Sequence, residues 1–245
     1  MTEPDDKRDT RRMKAILTLV ATLAFVTSPF YSGGFGGFEP GQFPVPQDDP
    51  PVQPAGYAFA IWSVIYLWLV AHAGFGLVAR ADDTGWDAAR WPLIVSLVVG
   101  TPWITVAQQS PVAATVMIWV MWAGAALALI RAARAGADRW WLAAPIGLYA
   151  GWLTAASCVS LGLLAGGYGL VGLVPAAWLA LVIALALAVA VMAFTRVPEY
   201  ALAVAWALVA VAVANLPGQA VLAAAALIGA GVMLYRGAMA IRARS

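Results

Sequence analysis

The chain has 245 residues, 63% of them hydrophobic and 11% charged, with a mean hydropathy of +0.83. A soluble domain of this size carries about 25% charged residues, so a soluble fold is excluded. No alternating segments of about ten residues occur, which excludes a transmembrane β-barrel.

In chain order, residues 1–14 (MTEPDDKRDTRRMK) read as a charged cytoplasmic tail before a first apolar run at 15–31. Pro29 follows the best small-residue cleavage site, Val26–Thr27–Ser28, so the run is read as an uncleaved helix. Seven further runs follow at 57–79, 91–109, 111–131, 140–165, 169–194, 199–215 and 219–240. Each is long enough to cross a bilayer as a helix, so the expected fold is all-α, a polytopic bundle of about eight spans. Three very short connections, at Gln109–Pro111, Gly166–Gly169 and Asn215–Gln219, hold Gly, Pro or Asn and suit tight antiparallel turns. With eight spans, all 14 Lys and Arg residues fall on one side of the membrane, together with both termini. The positive-inside rule makes that side the cytoplasm, whereas seven spans would scatter the charges. The expected location is a bacterial inner membrane.

The long loop at 32–56 is then external. It reads SGGFGGFEPGQFPVPQDDPPVQPAG and carries no basic residue. It is either a flexible connector or a lid whose Phe35, Phe38 and Phe43 give it something to bury.

Asp, Glu, Lys and Arg are absent from the middle of every run, which argues against an ion-coupled pump. Glu199 and Arg196 sit near a cytoplasmic helix end, within reach of water or of each other. No cluster of His, Cys or carboxylates suggests a metal, and no nucleophile has a visible base. His72, the only histidine, reads as a structural hydrogen-bonding residue ahead of a haem ligand. Asn215, Gln108 and Gln109 read as turn or interface residues, and Trp86, Trp91, Trp140 and Trp141 as interface anchors. The single cysteine, Cys158, cannot form an intramolecular disulfide.

Two aromatic stripes lie deeper. Phe59, Trp62 and Tyr66 share one face of the second helix, and Pro145, Tyr149, Trp152 and Ala156 share one face of the fifth. They serve either packing or a pocket. Gly147 with Gly151, and Gly162 with Gly166, form GxxxG pairs that serve internal packing or a homodimer.

These blocks carry a resemblance. PAGYAFAIWSVIY, with Pro54, Trp62 and Tyr66, resembles the second-helix signature of the tryptophan-rich sensory protein family (TspO, or translocator protein). Trp103 in GTPWITV and the block LYAGWLTAA, with Tyr149, Trp152 and Ala156, resemble its third- and fifth-helix motifs. The resemblance spans residues 15–165 and departs at Gly100 and Ser160, where the family usually has Asn. It implies a five-helix core at 15–165, extended by three helices and a basic tail at 166–245. It also implies a ligand-binding site of Tyr57, Phe59, Trp62, Tyr66, Trp103, Tyr149, Trp152 and Ala156.

The ligand so implied is hydrophobic and tetrapyrrole-like, a porphyrin or haem, in a sensory or regulatory role. No catalytic residue, required cofactor, metal or nucleic-acid partner is expected; the expected partners are lipid and the small ligand. Transport of a small apolar or zwitterionic solute and porphyrin degradation stand as alternatives. No acid–base pair in the membrane supports the second.

Overall fold

The computed structural model describes residues 5–243; within them it holds nine α-helices and two 3₁₀ turns and no strand. The helices are α1 (Asp5–Ser32), α2 (Ile61–Val78), α3 (Thr84–Gly100), α4 (Trp103–Ala107), α5 (Pro111–Ala135), α6 (Ala143–Gly167), α7 (Leu173–Thr195), α8 (Pro198–Asn215) and α9 (Ala220–Arg242). Seven of them are long and apolar enough to cross a membrane, the 3₁₀ turn at 56–60 counting with α2. The protein is thus a multi-pass helical membrane protein. Arg244 and the first four residues of the expected tail lie outside the described residues. Residues 5–14 continue α1 without a break.

The run expected at 91–109 is two helices, α3 and α4, broken at Thr101–Pro102. Proline has no N–H, and its ring crowds the carbonyl four residues back, so the helix stops there. The two pieces still advance together against α5. A Cβ on Gly124 would sit 2.7 Å from the Pro92 carbonyl, Ser96 Oγ donates to the Met121 carbonyl at 2.7 Å, and the Trp103 indole donates to the Ala114 carbonyl at 2.8 Å. This descending register is antiparallel. The α3–α4 pair therefore covers the same depth as α5.

Local chemistry sets the helix ends. Asp83 caps α3 by accepting from the Trp86 amide at 3.0 Å, and Ser110 caps α5 by accepting from the Ala113 amide at 3.2 Å, with Pro111 in the first turn. Gly136 ends α5 in the left-handed region at φ +68°, where a side chain would strain the backbone.

Helix α6 is the axis: 67% of its membrane window is buried, the largest share of any span. It packs on α2, α5, α7 and α8. Its glycines make this possible. A Cβ on Gly151 would lie 2.4 Å from the Tyr200 carbonyl, and one on Gly147 2.7 Å from Val197, both beside α8. Gly162 faces Val52 and α7, and Gly166 faces Leu173. Both GxxxG pairs are thus used inside the chain, where backbones approach closely. The three helices after residue 165 share one hydrophobic core with the rest.

Lys14, Arg80, Arg90, Arg131 and Arg139 gather at one end, here the basic end. Arg80 pairs with Asp138 at 2.6 Å, and Lys14 with Asp87 at 2.8 Å. Glu199 pairs with Arg139. Trp86 is no surface anchor: it is 1% exposed, stacks on His72 at 5.0 Å and donates to Asp138 at 3.0 Å. Burial of its ring gives the partly exposed Asp138 carboxylate a second donor and closes the α2–α3 turn. Trp91, Trp140 and Trp141 are exposed, as anchors should be. His72 Nδ1 lies 2.6 Å from the Trp141 carbonyl. A carbonyl only accepts, so this nitrogen carries the proton.

Candidate functional site

At the opposite end, the 32–56 segment is folded down as a cap. Gln42 Nε2 donates to the carbonyls of Ala107 and Gln108 at 2.9 and 3.0 Å. Gln108 donates back to the Ser32 carbonyl at 2.7 Å. The Val45 amide donates to the Gly167 carbonyl at 2.9 Å, and the Ala55 amide to Ala210 at 3.1 Å. Asn215, buried, holds the Pro51 carbonyl at 2.8 Å. Phe43 and Val52 are buried under this cap, with Phe43 against Gly167. Backbone carbonyls at helix ends need donors that lipid cannot supply, so the cap and the helix ends satisfy each other.

Beneath the cap lies a cavity of about 270 Å³. Of the eight residues expected at a site, Phe59, Trp62, Tyr66, Trp103, Trp152 and Ala156 line it. Tyr57 does not: it points away, about half exposed, edge-on to Trp206 at 5.5 Å. Tyr149 does not either. It is wholly buried behind the wall, its hydroxyl 2.9 Å from Ser96 Oγ and its ring 5.7 Å from Phe25.

The walls are built from ring edges and faces. Trp62 stacks on Tyr66 at 5.2 Å, and Trp152 meets Trp62 edge-on at 6.2 Å and Phe59 at 5.9 Å. From the cap, Phe35 meets Trp103 at 4.8 Å and Phe38 at 5.2 Å. Such edge-to-face pairs add about 0.5–1.5 kcal/mol each beyond burial.

Sequence reasoning missed Phe25, which lines the cavity from α1 and meets Trp62, Tyr66 and Tyr149. Its ring sits on Gly100, where a Cβ would be 2.6 Å from Phe25 Cε2. The aromatic ring thus occupies the space that an amide at position 100 would need. The departure at Gly100 was the signal that could have found it. Ser160, the other departure, lines the cavity and is hydrogen-bonded to Thr115. Also missed were wall residues from α5, α7 and α8, including Met121, Ala180 and Leu208.

No charged residue and no histidine lines the cavity. The indole N–H groups of Trp62 and Trp152, the Tyr66 hydroxyl and the Gln53 amide line it and find no hydrogen-bond partner among the described residues. Nor do any three His, Cys, Asp or Glu side chains come together among those residues. The arrangement can stack a flat apolar body and offer it a few donors.

A family model described as TSPO-like protein matches residues 15–239, running through α7 and α8 and almost to the end of α9. No curated protein and no solved structure matches the chain.

Proposed function

The chain belongs to the TSPO-like protein family, and from that premise we propose that it binds a flat hydrophobic ligand of the tetrapyrrole class, protoporphyrin or haem, in a sensory or regulatory role. The observation that supports this reading is the pair of aromatic walls, Trp62–Tyr66 and Trp152–Phe59, meeting nearly at right angles around unpartnered N–H and O–H donors. A π-rich disc stacks on one wall and takes edge contacts from the other. The donors meet its polar substituents. With no imidazole in the lining, stacking and donor bonds hold the ring, so the metal-free porphyrin serves as well as haem.

The cavity of about 270 Å³ is just below the span of about 300–1,000 Å³ usual for small-molecule sites. A macrocycle therefore enters with displacement of the cap, whose anchors are hydrogen bonds rather than ion pairs. We place the protein in a bacterial inner membrane with both termini cytoplasmic. The gathering of Lys14, Arg80, Arg90, Arg131 and Arg139 at one end supports that orientation.

The test is titration of the detergent-solubilised protein with protoporphyrin IX, followed in the porphyrin absorbance band. Saturable binding at micromolar or tighter affinity is expected. The Trp62→Ala/Trp152→Ala double variant should bind at least tenfold more weakly while eluting and melting as a folded protein. Unchanged affinity in the variant removes the site, and a lack of saturable binding overturns the ligand class.

A further inference from the structure

We propose that the outer groove between α3 and α5 binds an anionic phospholipid, with Arg131 and Arg134 holding its phosphodiester and the exposed faces of both helices taking its acyl chains. The site is on the outside of the bundle and does not depend on the ring cavity.

The two arginines differ from their neighbours in having no counter-charge. At the basic end, Arg8 and Arg12 pair with Asp82, Lys14 and Arg90 with Asp87, and Arg80 and Arg139 with Asp138 and Glu199. Arg131 and Arg134 are both exposed. Neither has a carboxylate partner among the described residues; Arg131 donates from Nη1 to the Ala88 carbonyl at 3.0 Å, and Arg134 makes no bond there at all. Three residues apart near the end of α5, they share one face with about 5–6 Å between their Cβ atoms. Two like charges at that spacing repel. A phosphate between them removes the repulsion, and a guanidinium meets it through paired N–H···O bonds.

The surroundings select a lipid as the source of that phosphate. On α5, the exposed Leu127 and Val120 continue the face of the arginines at helical spacing, and on α3 the exposed Trp91, Val95 and Val98 form a second such face. The two faces adjoin. The Arg131–Ala88 bond joins the helices just below Trp91, and a Cβ on Gly85 would lie 3.0 Å from the Ala135 Cβ. Two apolar stripes thus run side by side from the arginines into the membrane, with the Trp91 indole at the boundary where such rings settle. A free phosphate gains nothing from the stripes. A phospholipid gains at both places, and basic clusters beside a membrane favour anionic headgroups.

The test is native mass spectrometry of the full chain released from detergent micelles, titrated with dioleoyl phosphatidylglycerol or dioleoyl phosphatidylcholine. The first phosphatidylglycerol should bind at least fivefold more tightly than phosphatidylcholine. The Arg131→Gln/Arg134→Gln variant should lose at least fivefold for phosphatidylglycerol and change less than twofold for phosphatidylcholine. Arg8→Gln/Arg12→Gln removes the same charge from the same end of the bundle and should change both lipids less than twofold. Arg134→Gln alone breaks no bond within the described chain, so its fold is safe, and it should weaken phosphatidylglycerol at least twofold. Equal losses in the two double variants would leave only diffuse surface charge and overturn the site. So would equal binding of the two lipids to the unsubstituted chain, or an unchanged affinity in Arg134→Gln. Inorganic phosphate that displaces phosphatidylglycerol at an equal concentration would make this a bare anion site and overturn the lipid.

Discussion

At the basic end of the bundle, charged groups are tied to carbonyls and to one another; at the cap end, rings close around a cavity without a single charge. Arg90, 3% exposed, donates to the carbonyls of Arg80, Ala81 and Arg11 at 2.7, 2.8 and 3.1 Å. Asp138 takes Arg80 and Trp86 together. The cap is instead held by neutral amides, each worth about 1 kcal/mol net. Charge-assisted bonds are roughly twice as strong. The difference separates a rigid base, which fixes where α1, α2, α3, α5 and α8 enter the membrane, from a cover that can lift at small cost.

The sharpest break should come from Arg90→Ala. It strips a donor from several carbonyls at once, and we expect a loss of about 3 kcal/mol, read as a lowered unfolding midpoint in detergent. Arg90→Lys should recover only part of it, because a compact ammonium cannot reach two sides as a guanidinium does. An unchanged midpoint would mean that water replaces the guanidinium.

Smaller and confined to the other end, Gln42→Ala should cost about 1 kcal/mol. It should speed amide exchange in residues 33–55 and protoporphyrin association, leaving the basic-end turns untouched. Equal acceleration at both ends would erase the contrast between them.

The smallest effect is a pH response. The hydrogen bond from Arg80, helped by that from Trp86, holds the Asp138 carboxyl below its ordinary range, and the same bond raises Arg80. A carboxyl with a lowered folded pKa stabilises fully above its unfolded value. That contribution fades as pH falls below the ordinary value of about 3.9 and is gone below the folded one. Amide exchange at 79–86 and 136–142 should therefore rise below about pH 4, and Asp138→Asn should abolish this increment. The cap, which relies on no ionised group for its anchors, should not respond.

Much of the architecture was legible because its signals are local. Apolar length sets a span, Pro and Gly punctuate it, and a proline at 102 divides one. The gathering of basic residues followed from loop charge alone. The site was legible only where a motif carried it. Trp62, Tyr66, Trp103 and Trp152 line the cavity, but Tyr57 turns outward to Trp206, and Tyr149 stands behind the wall. Spacing places a residue on a face and leaves open what that face meets. Trp86 looked like an anchor because it precedes an apolar run, yet an aspartate from the α5–α6 turn draws it inside.

By itself, then, the sequence determined that the chain is helical, that it crosses the membrane many times, and which end carries the charges. Each follows from transfer out of water, which acts residue by residue. The tertiary structure alone decided which apolar faces meet one another and which meet lipid. Lipid is as apolar as the protein interior, so a helix such as α6 or α7 is hydrophobic on every side and its pattern does not reveal its buried face. Close approach at Gly100, Gly124 and Gly151 made that choice. It set Phe25 over Gly100 and left the alanine faces of α7 and α8 along the cavity.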